Sequence, residues 1–401
     1  MPGPFDGIRI LDLTSVISGP LATMILADQG ADVIKIEAPE GDYSRHVATR
    51  RGGFSASFLN NNRNKRSIVL NMKKPDAIEA FKRLVKGADV VIQNFRPGVA
   101  NRMGIGEETL RAINPSLVYA SICGFGFEGP YAQKPVFDPL IQAVSGLTTV
   151  QAGSDDERPR LVRTILPDKL TAIQASQAIA AALFARERTG EGQHISLTML
   201  DTMVSFLWSS DMGGHTFVGD ELAVEEAQSF IDLVYKTADG YVTLAIMQDK
   251  HWKGFARAID RLDLLEMEQF SNAEMRELNK NERINITQEA LRAFTSKEII
   301  ERLEHEDVPC AHVHTRREMR LHPQVIANGA VIEIDHPLAG RLRQARHPAQ
   351  FSKTAASIRR GAPALGEHTR DVLAEFDFAP DEISSLERSG AIRPAVSKAT
   401  S

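Results

Sequence analysis

The sequence predicts an α/β protein: a large domain with a parallel sheet between helices, and a smaller α+β domain within the chain. Two patterns carry that expectation. Short β-branched runs alternate with helix-period segments from Ile8 to Leu207, as strand–helix–strand units of a parallel sheet do. From about Gln228 to Val313 the pattern changes to a strand pair followed by charge-rich helices. A chain of 401 residues, 43% hydrophobic and 25% charged, has the length for two cores and the balance of an ordinary globular protein.

Ile8–Leu13 (IRILDL) reads as the first strand. Ser18-Gly19-Pro20 opens a helix with proline in its first turn, where a missing N–H does no harm, and Gly30 ends it. Ala31–Glu37 (ADVIKIE) is the second strand. Ser67–Leu70, Val90–Asn94 and Leu117–Ile122 are three more, with helices near Asp76–Val85 and Glu107–Ile113. A long helix runs from Asp168 to Arg188, apolar at 170, 173, 179, 180, 183 and 184, into Thr189-Gly190-Glu191-Gly192. His194–Leu197 then reads as a strand and Leu200–Leu207 as a helix. The smaller domain holds a strand pair near Leu233–Ala245 and helices at Trp252–Ile259, Thr287–Phe294 and Lys297–Leu303. Beyond Arg316 come isolated strand-like pieces, a Pro/Gly-punctuated stretch and a helix near His368–Phe376. No internal repeat is evident, and Val396–Ser401 reads as a loose tail.

Charge and cysteine content remove several function classes. A net charge of -5 offers no global attraction to nucleic acid or to an anionic membrane. A phosphorylated ligand would need a local basic patch. Cys123 and Cys310 are too few for a disulfide framework, which favours a reducing compartment. The first residues lack the basic and apolar runs of a signal peptide, and no apolar stretch approaches a membrane span. The expectation is a cytoplasmic protein with no nucleic-acid and no membrane partner.

Gly124-Phe125-Gly126-Phe127-Glu128-Gly129 matches G-x-G-x-x-G behind a strand, but Pro130-Tyr131 follows where a dinucleotide site needs a helix. It reads as a turn. Cys310, His312 and His314 share one face of a short strand without a fourth ligand nearby, so no metal is assigned. G-x-S-x-G, G-x-x-x-x-G-K-S/T and H-E-x-x-H are absent, which removes the commonest hydrolase and ATPase readings. Asp168 follows Leu166-Pro167 at the head of the long helix. The position suits an N-cap. It also suits a nucleophile, because a helix N-terminus favours the ionised carboxylate. Spacing leaves both open.

Six blocks, in order, carry a resemblance. They are Gly7–Glu37 (GIRILDLTSVISGPLATMILADQGADVIKIE), Asn62–Met72 (NRNKRSIVLNM), Ala88–Gly104 (ADVVIQNFRPGVANRMG), Phe137–Leu147 (FDPLIQAVSGL), Thr189–Leu197 (TGEGQHISL) and Ala362–Thr369 (APALGEHT). Together they resemble the class III CoA-transferases, the family of formyl-CoA transferase, carnitine CoA-transferase and α-methylacyl-CoA racemase. The resemblance implies a Rossmann-like large domain built from the N- and C-terminal segments, 1–215 and 330–401. It implies a small α+β domain at 228–316, linkers at 216–227 and 317–329, and an interlocked-ring homodimer. No tightly bound cofactor is implied; coenzyme A and acyl-CoA enter as substrates, with small carboxylic acids as the other partners.

The resemblance also assigns roles. Asp168 matches the nucleophile, which takes the acyl group as a mixed anhydride and then holds coenzyme A as an aspartyl thioester. Contacts to coenzyme A fall on Val16, Ile17 and Ser18, on Leu70, Asn71, Met72 and Lys73, and on Asn94, Phe95, Arg96 and Arg102. Leu70, Met72 and Phe95 would flank the adenine, and Phe137 and Asp138 would lie by the reacting end. Acid-binding groups would come from Tyr235–Trp252 and from the partner subunit. Four departures matter. Ile17 stands where formyl-CoA transferase has glutamine, and Ala245–Lys250 lacks its glycine run, which argues against a formyl/oxalate pair. Ala38 stands where a phosphate-binding arginine would be, so that contact is missing or replaced, with Arg45 as the nearby candidate. Phe137 occupies the place of the racemase histidine and cannot carry a proton. The alternatives to CoA transfer are therefore an acyl-CoA racemase or epimerase, disfavoured by Phe137, and a non-catalytic CoA-binding paralogue, disfavoured by Asp168.

Overall fold

The computed structural model describes residues 2–47, 49–219 and 232–393. The linker assigned to 216–227 beyond residue 219, the first residues of the small domain (228–231) and the tail Val396–Ser401 lie outside them. The chain divides into two compact units, Met1–Ala227 with Gly329–Ser401, and Gln228–Asn328.

The first unit is built on strands β1 (Arg9–Asp12), β2 (Asp32–Glu37), β3 (Lys65–Val69), β4 (Val90–Gln93), β5 (Val118–Cys123) and β6 (His194–Thr198). They form one sheet in the order β3-β2-β1-β4-β5-β6, and every neighbouring pair is parallel. Helices α1 (Ser18–Asp28), α2 (Pro75–Val85), α3 (Val99–Arg102), α4 (Glu107–Ile113), α5 (Asp138–Val144), α6 (Leu166–Thr189) and α7 (Met199–Trp208) connect or follow them. A parallel sheet is covered on both faces, so its central strands read as near-continuous apolar runs. Here Leu11, Ile34, Ile68, Val91 and Tyr119 pack on one face with Phe81, Leu84 and Leu110 of α2 and α4. Ile10, Val33, Val90, Ile92 and Val118 pack on the other with Leu26 of α1 and Ala175, Ile179 and Leu183 of α6.

Local chemistry sets the helix limits. α2 has Pro75 and Asp76 in its first turn and Lys82 and Arg83 in its last, complementing the helix dipole. It buries Ala77, Ala80, Phe81, Leu84 and Val85, one stripe at helical spacing; Phe81→Ala would cost about 3–5 kcal/mol. α6 ends at Gly190, whose φ of 78° is the left-handed cap that glycine adopts without strain.

In the second unit β7 (Val234–Lys236), β8 (Tyr241–Leu244) and β9 (Cys310–His312) make an antiparallel sheet in the order β9-β8-β7. Helices α8 (Asp249–Ala258), α9 (Lys280–Leu291) and α10 (Ser296–His305) supply Trp252, Phe255, Leu291, Ile299 and Leu303 to its core. The span 317–329, expected as a linker, carries most of α11 (Arg316–Met319) and all of α12 (Pro323–Ala327). A Thr315–Glu318 capping box starts the first, and Pro323 sits in the first turn of the second.

The chain then returns to the first unit. It adds the hairpin β10 (Val331–His336) and β11 (Gly340–Ala345), then α13 (Thr369–Glu375) and α14 (Pro380–Arg388). Val372, Leu373, Phe376, Ile383 and Ile392 join the core beside α2. Both ends of the sequence therefore build this unit. Among the described residues no helix is long and apolar enough to cross a membrane.

Candidate active site

Parallel strands leave all their C-terminal ends at one edge of the sheet. The strand order reverses between β1 and β4, and the crevice at such a reversal is where open α/β sheets seat ligands. The loop after β1 carries Val16–Ser18, and the loop after β4 carries Asn94–Arg96. They are joined across the crevice: Ser15 N–H donates to Asn94 Oδ1 (3.0 Å), and Asn94 Nδ2 donates to the Ser15 carbonyl (2.9 Å). Val16 has a φ of 72°, a left-handed conformation that costs a β-branched residue about 1–3 kcal/mol. Its N–H is held by Asp42 Oδ1 at 3.2 Å. Gly19 is required here, since a Cβ would meet the Thr14 side chain at 2.3 Å.

Asp168 is not an N-cap. α6 begins at Leu166 with Ile165 in the capping position and Pro167 in the first turn, so Asp168 lies inside that turn. Proline is tolerated there because its missing N–H would have been unpaired. The Asp168 N–H donates to Asp138 Oδ2 at 3.2 Å. Asp138, 2% exposed at the start of α5, also accepts from Gln142 Nε2 at 2.7 Å. Gln142 in turn bonds the Val162 N–H (2.9 Å) and the Thr164 carbonyl (3.2 Å), tying α5 to the approach of α6.

Electrostatics run against the preference of a helix N-terminus for the ionised carboxylate. Burial, and then the Asp138 charge, raise the Asp168 pKa to about 6, while the Ser18 hydroxyl and N–H pull it down. Asp138 is raised too, chiefly by burial. Desolvation and a like charge outweigh the dipole. With its pKa near 6, most of Asp168 is still ionised at neutral pH. Burial pushes the Cys123 thiol up to about 12 and Cys310 up to about 11, so neither supplies a thiolate.

The other expected residues divide. Ile17 and Ser18 are buried at the head of α1; Phe137 precedes α5 with its ring 65% exposed. Asn71, Met72 and Lys73 follow β3, where the Asn71 N–H donates to the Ala391 carbonyl at 2.8 Å. Leu70 is fully buried in the core and bridged to Ile392, so its side chain cannot flank a ligand and only its backbone remains available. Met72 and Phe95 are partly buried at the rim of that core. Arg96 and Arg102 are exposed. Arg45 is not a substitute phosphate ligand. It is 8% exposed, forks onto Glu37 at 2.6 and 2.7 Å, bonds the Pro363 carbonyl and stacks on Phe58 at 3.7 Å. A guanidinium so engaged has no face left for a ligand.

Two groups escaped the sequence reading. One is a cavity of about 250 Å³ lined by Phe95 and Arg96 together with Gln93, Tyr119, Ser121 and His194. A polar chain crosses it: Gln93 Nε2 donates to Ser121 Oγ (3.0 Å), and Ser121 Oγ lies 2.9 Å from His194 Nε2. The other is a set of buried charges beneath the β1–α1 turn, Asp12, Lys35, Lys65, Asp42, Glu37 and Arg45. Charged residues inside strands that are otherwise apolar were the available signal. Among the described residues no cluster of three or more His, Cys, Asp or Glu is placed to hold a metal ion.

Residues 5–369 match the family described as CoA-transferase family III. The chain is 32% identical over 380 residues to human succinyl-CoA:glutarate CoA-transferase, covering 93% of this chain and 86% of that one. It is 34% identical over 389 residues to the succinyl-CoA:mesaconate CoA-transferase of Haloarcula marismortui, covering 93% and 96%. The crystal structure of a CAIB/BAIF family protein from Brucella suis superposes with a TM-score of 0.82 at 30% identity, covering 94% and 100%.

Proposed function

The chain belongs to CoA-transferase family III, and from that premise we propose that it moves coenzyme A from an acyl-CoA, succinyl-CoA in the first instance, to a small dicarboxylic acid through a covalent intermediate on Asp168. The observation that carries this reading is a partly buried carboxylate, coupled to a second one and faced by the Ser18 N–H and hydroxyl. It supports a nucleophile that is ionised yet poorly solvated. The relatives' names support succinyl-CoA as donor and dicarboxylates such as glutarate or mesaconate as acceptors.

An Asp168 Oδ attacks the thioester carbonyl carbon, the C–S bond breaks, and the coenzyme A thiolate leaves a mixed anhydride. The thiolate then attacks the aspartyl carbonyl carbon, expelling the donor acid as its carboxylate and leaving an aspartyl thioester. The acceptor carboxylate attacks that thioester, giving a second anhydride and free thiolate. Attack of the thiolate on the acceptor carbonyl yields the new acyl-CoA and restores Asp168. No proton is consumed, and the activation of the thioester survives while water is kept out.

The order of the parallel six-stranded sheet supports a Rossmann-like reading, and we assign the coenzyme to its crevice. The contacts are Val16, Ile17 and Ser18, the Leu70 backbone, Asn71, Met72, Lys73, Asn94, Phe95, Arg96 and Arg102. Phe137 and Asp138 sit at the acyl end. A racemase would need a proton carrier at Phe137, which a phenyl ring does not provide. Ile173 and Phe184 on α6 and Phe206 and Trp208 on α7 are 45% to 65% exposed, which supports a homodimer in which they are covered.

The test is exchange between succinyl-CoA and glutarate or mesaconate, read by mass spectrometry, with hydroxylamine or borohydride to trap the intermediate. The adduct is expected on the peptide containing Asp168, and Asp168→Ala should abolish exchange. Full activity in that variant overturns the reading.

A further inference from the structure

Four buried charges hold the backbone of the β1–α1 turn from beneath. Asp12 Oδ1 accepts the Thr14 N–H at 2.9 Å, and the Lys35 ammonium donates to the Thr14 carbonyl at 2.9 Å. Asp42 accepts the Val16 N–H and pairs with Lys35 at 2.8 Å. Lys65 donates to the Pro20 carbonyl at 2.8 Å, to Asn62 Oδ1 at 2.8 Å and to Asp12 Oδ2 at 3.0 Å. Asp12, Lys35 and Lys65 are 0% exposed and Asp42 is 4% exposed. The turn so held contains the left-handed Val16 and ends at Ser18, whose N–H and hydroxyl face Asp168.

We propose that Lys65, acting with Asp12, Lys35 and Asp42, is a positioning residue that fixes this turn and so keeps Ser18 aimed at the Asp168 carboxylate. The inference rests on Asp168 being the nucleophile. Its particular chemistry lies in donor number. An ammonium has three N–H groups, and Lys65 meets three acceptors. A neutral amine has two, so one of the three is released and an acceptor faces a lone pair. Lys65 faces Asp12 on β1, Lys35 on β2, Asp42 in the following loop, Asn62 before β3 and the Pro20 carbonyl on α1. Burial and the neighbouring Lys35 lower its pKa to about 8, against the pull of Asp12 and Asp42.

Global stability moves the other way. Between about 8 and the ordinary value of 10.5 the folded chain holds fewer protons at Lys65 than the unfolded chain. This group's contribution to stability therefore rises across that window. Alkaline loss of activity through Lys65 is thus separable from unfolding.

The experiment pairs two measurements on the full chain. The first is the pH profile of kcat/KM for CoA exchange. Wild type is expected to lose activity above about pH 8. Lys65→Met should be about tenfold slower and lack that alkaline limb while keeping the acidic one. An alkaline limb missing from wild type, or retained in the variant, overturns the proposal. The second needs no variant and no turnover: hydrogen exchange of the Ser15–Gly19 amides in wild type, corrected for intrinsic rate. Protection there should fall through about pH 8 while β5 stays protected; unchanged protection overturns the proposal even if Lys65→Met does not fold. Loosening of the turn in a protein whose Asp168→Ala variant remains active sinks the nucleophile and leaves the clamp.

Discussion

The Asp168 N–H donates to Asp138 Oδ2 at 3.2 Å, so the backbone of one aspartate binds the side chain of the other while their carboxylates repel. The bond links the pair, and burial first, with the Asp138 charge second, raises the Asp168 pKa.

Activity should therefore have an acidic limb. Only the carboxylate attacks, and the Asp168 pKa is raised to about 6, so kcat/KM should fall below that pH. The profile is measured with succinyl-CoA in wild type and in Asp138→Asn, which moves a limb due to Asp168 but not one due to the substrate's own phosphate and carboxylate.

Asp168→Asn should be inactive and more stable. A carboxyl group with a raised pKa binds more protons folded than unfolded, so its contribution to stability declines as pH rises from its ordinary value of 3.8 to about 6. At neutral pH the neutral amide removes that penalty, a gain of about 1–3 kcal/mol, reduced by partial exposure. The gain should vanish near pH 4 in urea titrations.

Asp138→Asn removes the charge next to Asp168 and should move the acidic limb to lower pH. It also sets an amide N–H₂ against Gln142 Nε2 or leaves the Asp168 N–H unpaired, at a cost of about 1–3 kcal/mol in stability. A limb that stays in place would show that burial alone raises Asp168.

Gly19→Ala should disrupt the turn, because the new Cβ lies 2.3 Å from Thr14. Coenzyme A binding, measured by calorimetry, should be lost or weakened well beyond tenfold. Gly53→Ala, whose Cβ has open space but a φ of 81°, serves as a control for backbone strain alone.

Phe184→Asp, at an exposed position on α6, should shift the protein from dimer to monomer in light scattering. A wild-type monomer would contradict the proposed homodimer.

The layers of the first unit were legible because apolar runs such as Val90–Gln93 report burial on both faces, and Pro75 to Val85 repeats at helical spacing. α5 and α14 were not read. Asp138-Pro139 looks like a turn until its proline is seen in a first helical turn, and Pro380–Arg388 has one buried apolar residue, Ile383. Resemblance singles out Asp168; the helix start that composition places at that residue lies two residues earlier, at Leu166, since helix ends drift by a residue or two when only composition is read.

By itself the sequence determined the alternation of strands and helices, the apolar faces and the family blocks, because each is a pattern between near neighbours. Tertiary structure decided which distant residues meet: Ser15 with Asn94, Lys65 with Asp12, Asp138 with Asp168. It also decided that Arg45 is spent on Glu37 and that Leu70 faces the core. Crossover connections bring those partners together, and desolvation depends on everything packed around a group. Neither is encoded in the spacing of a charge from its neighbours along the chain.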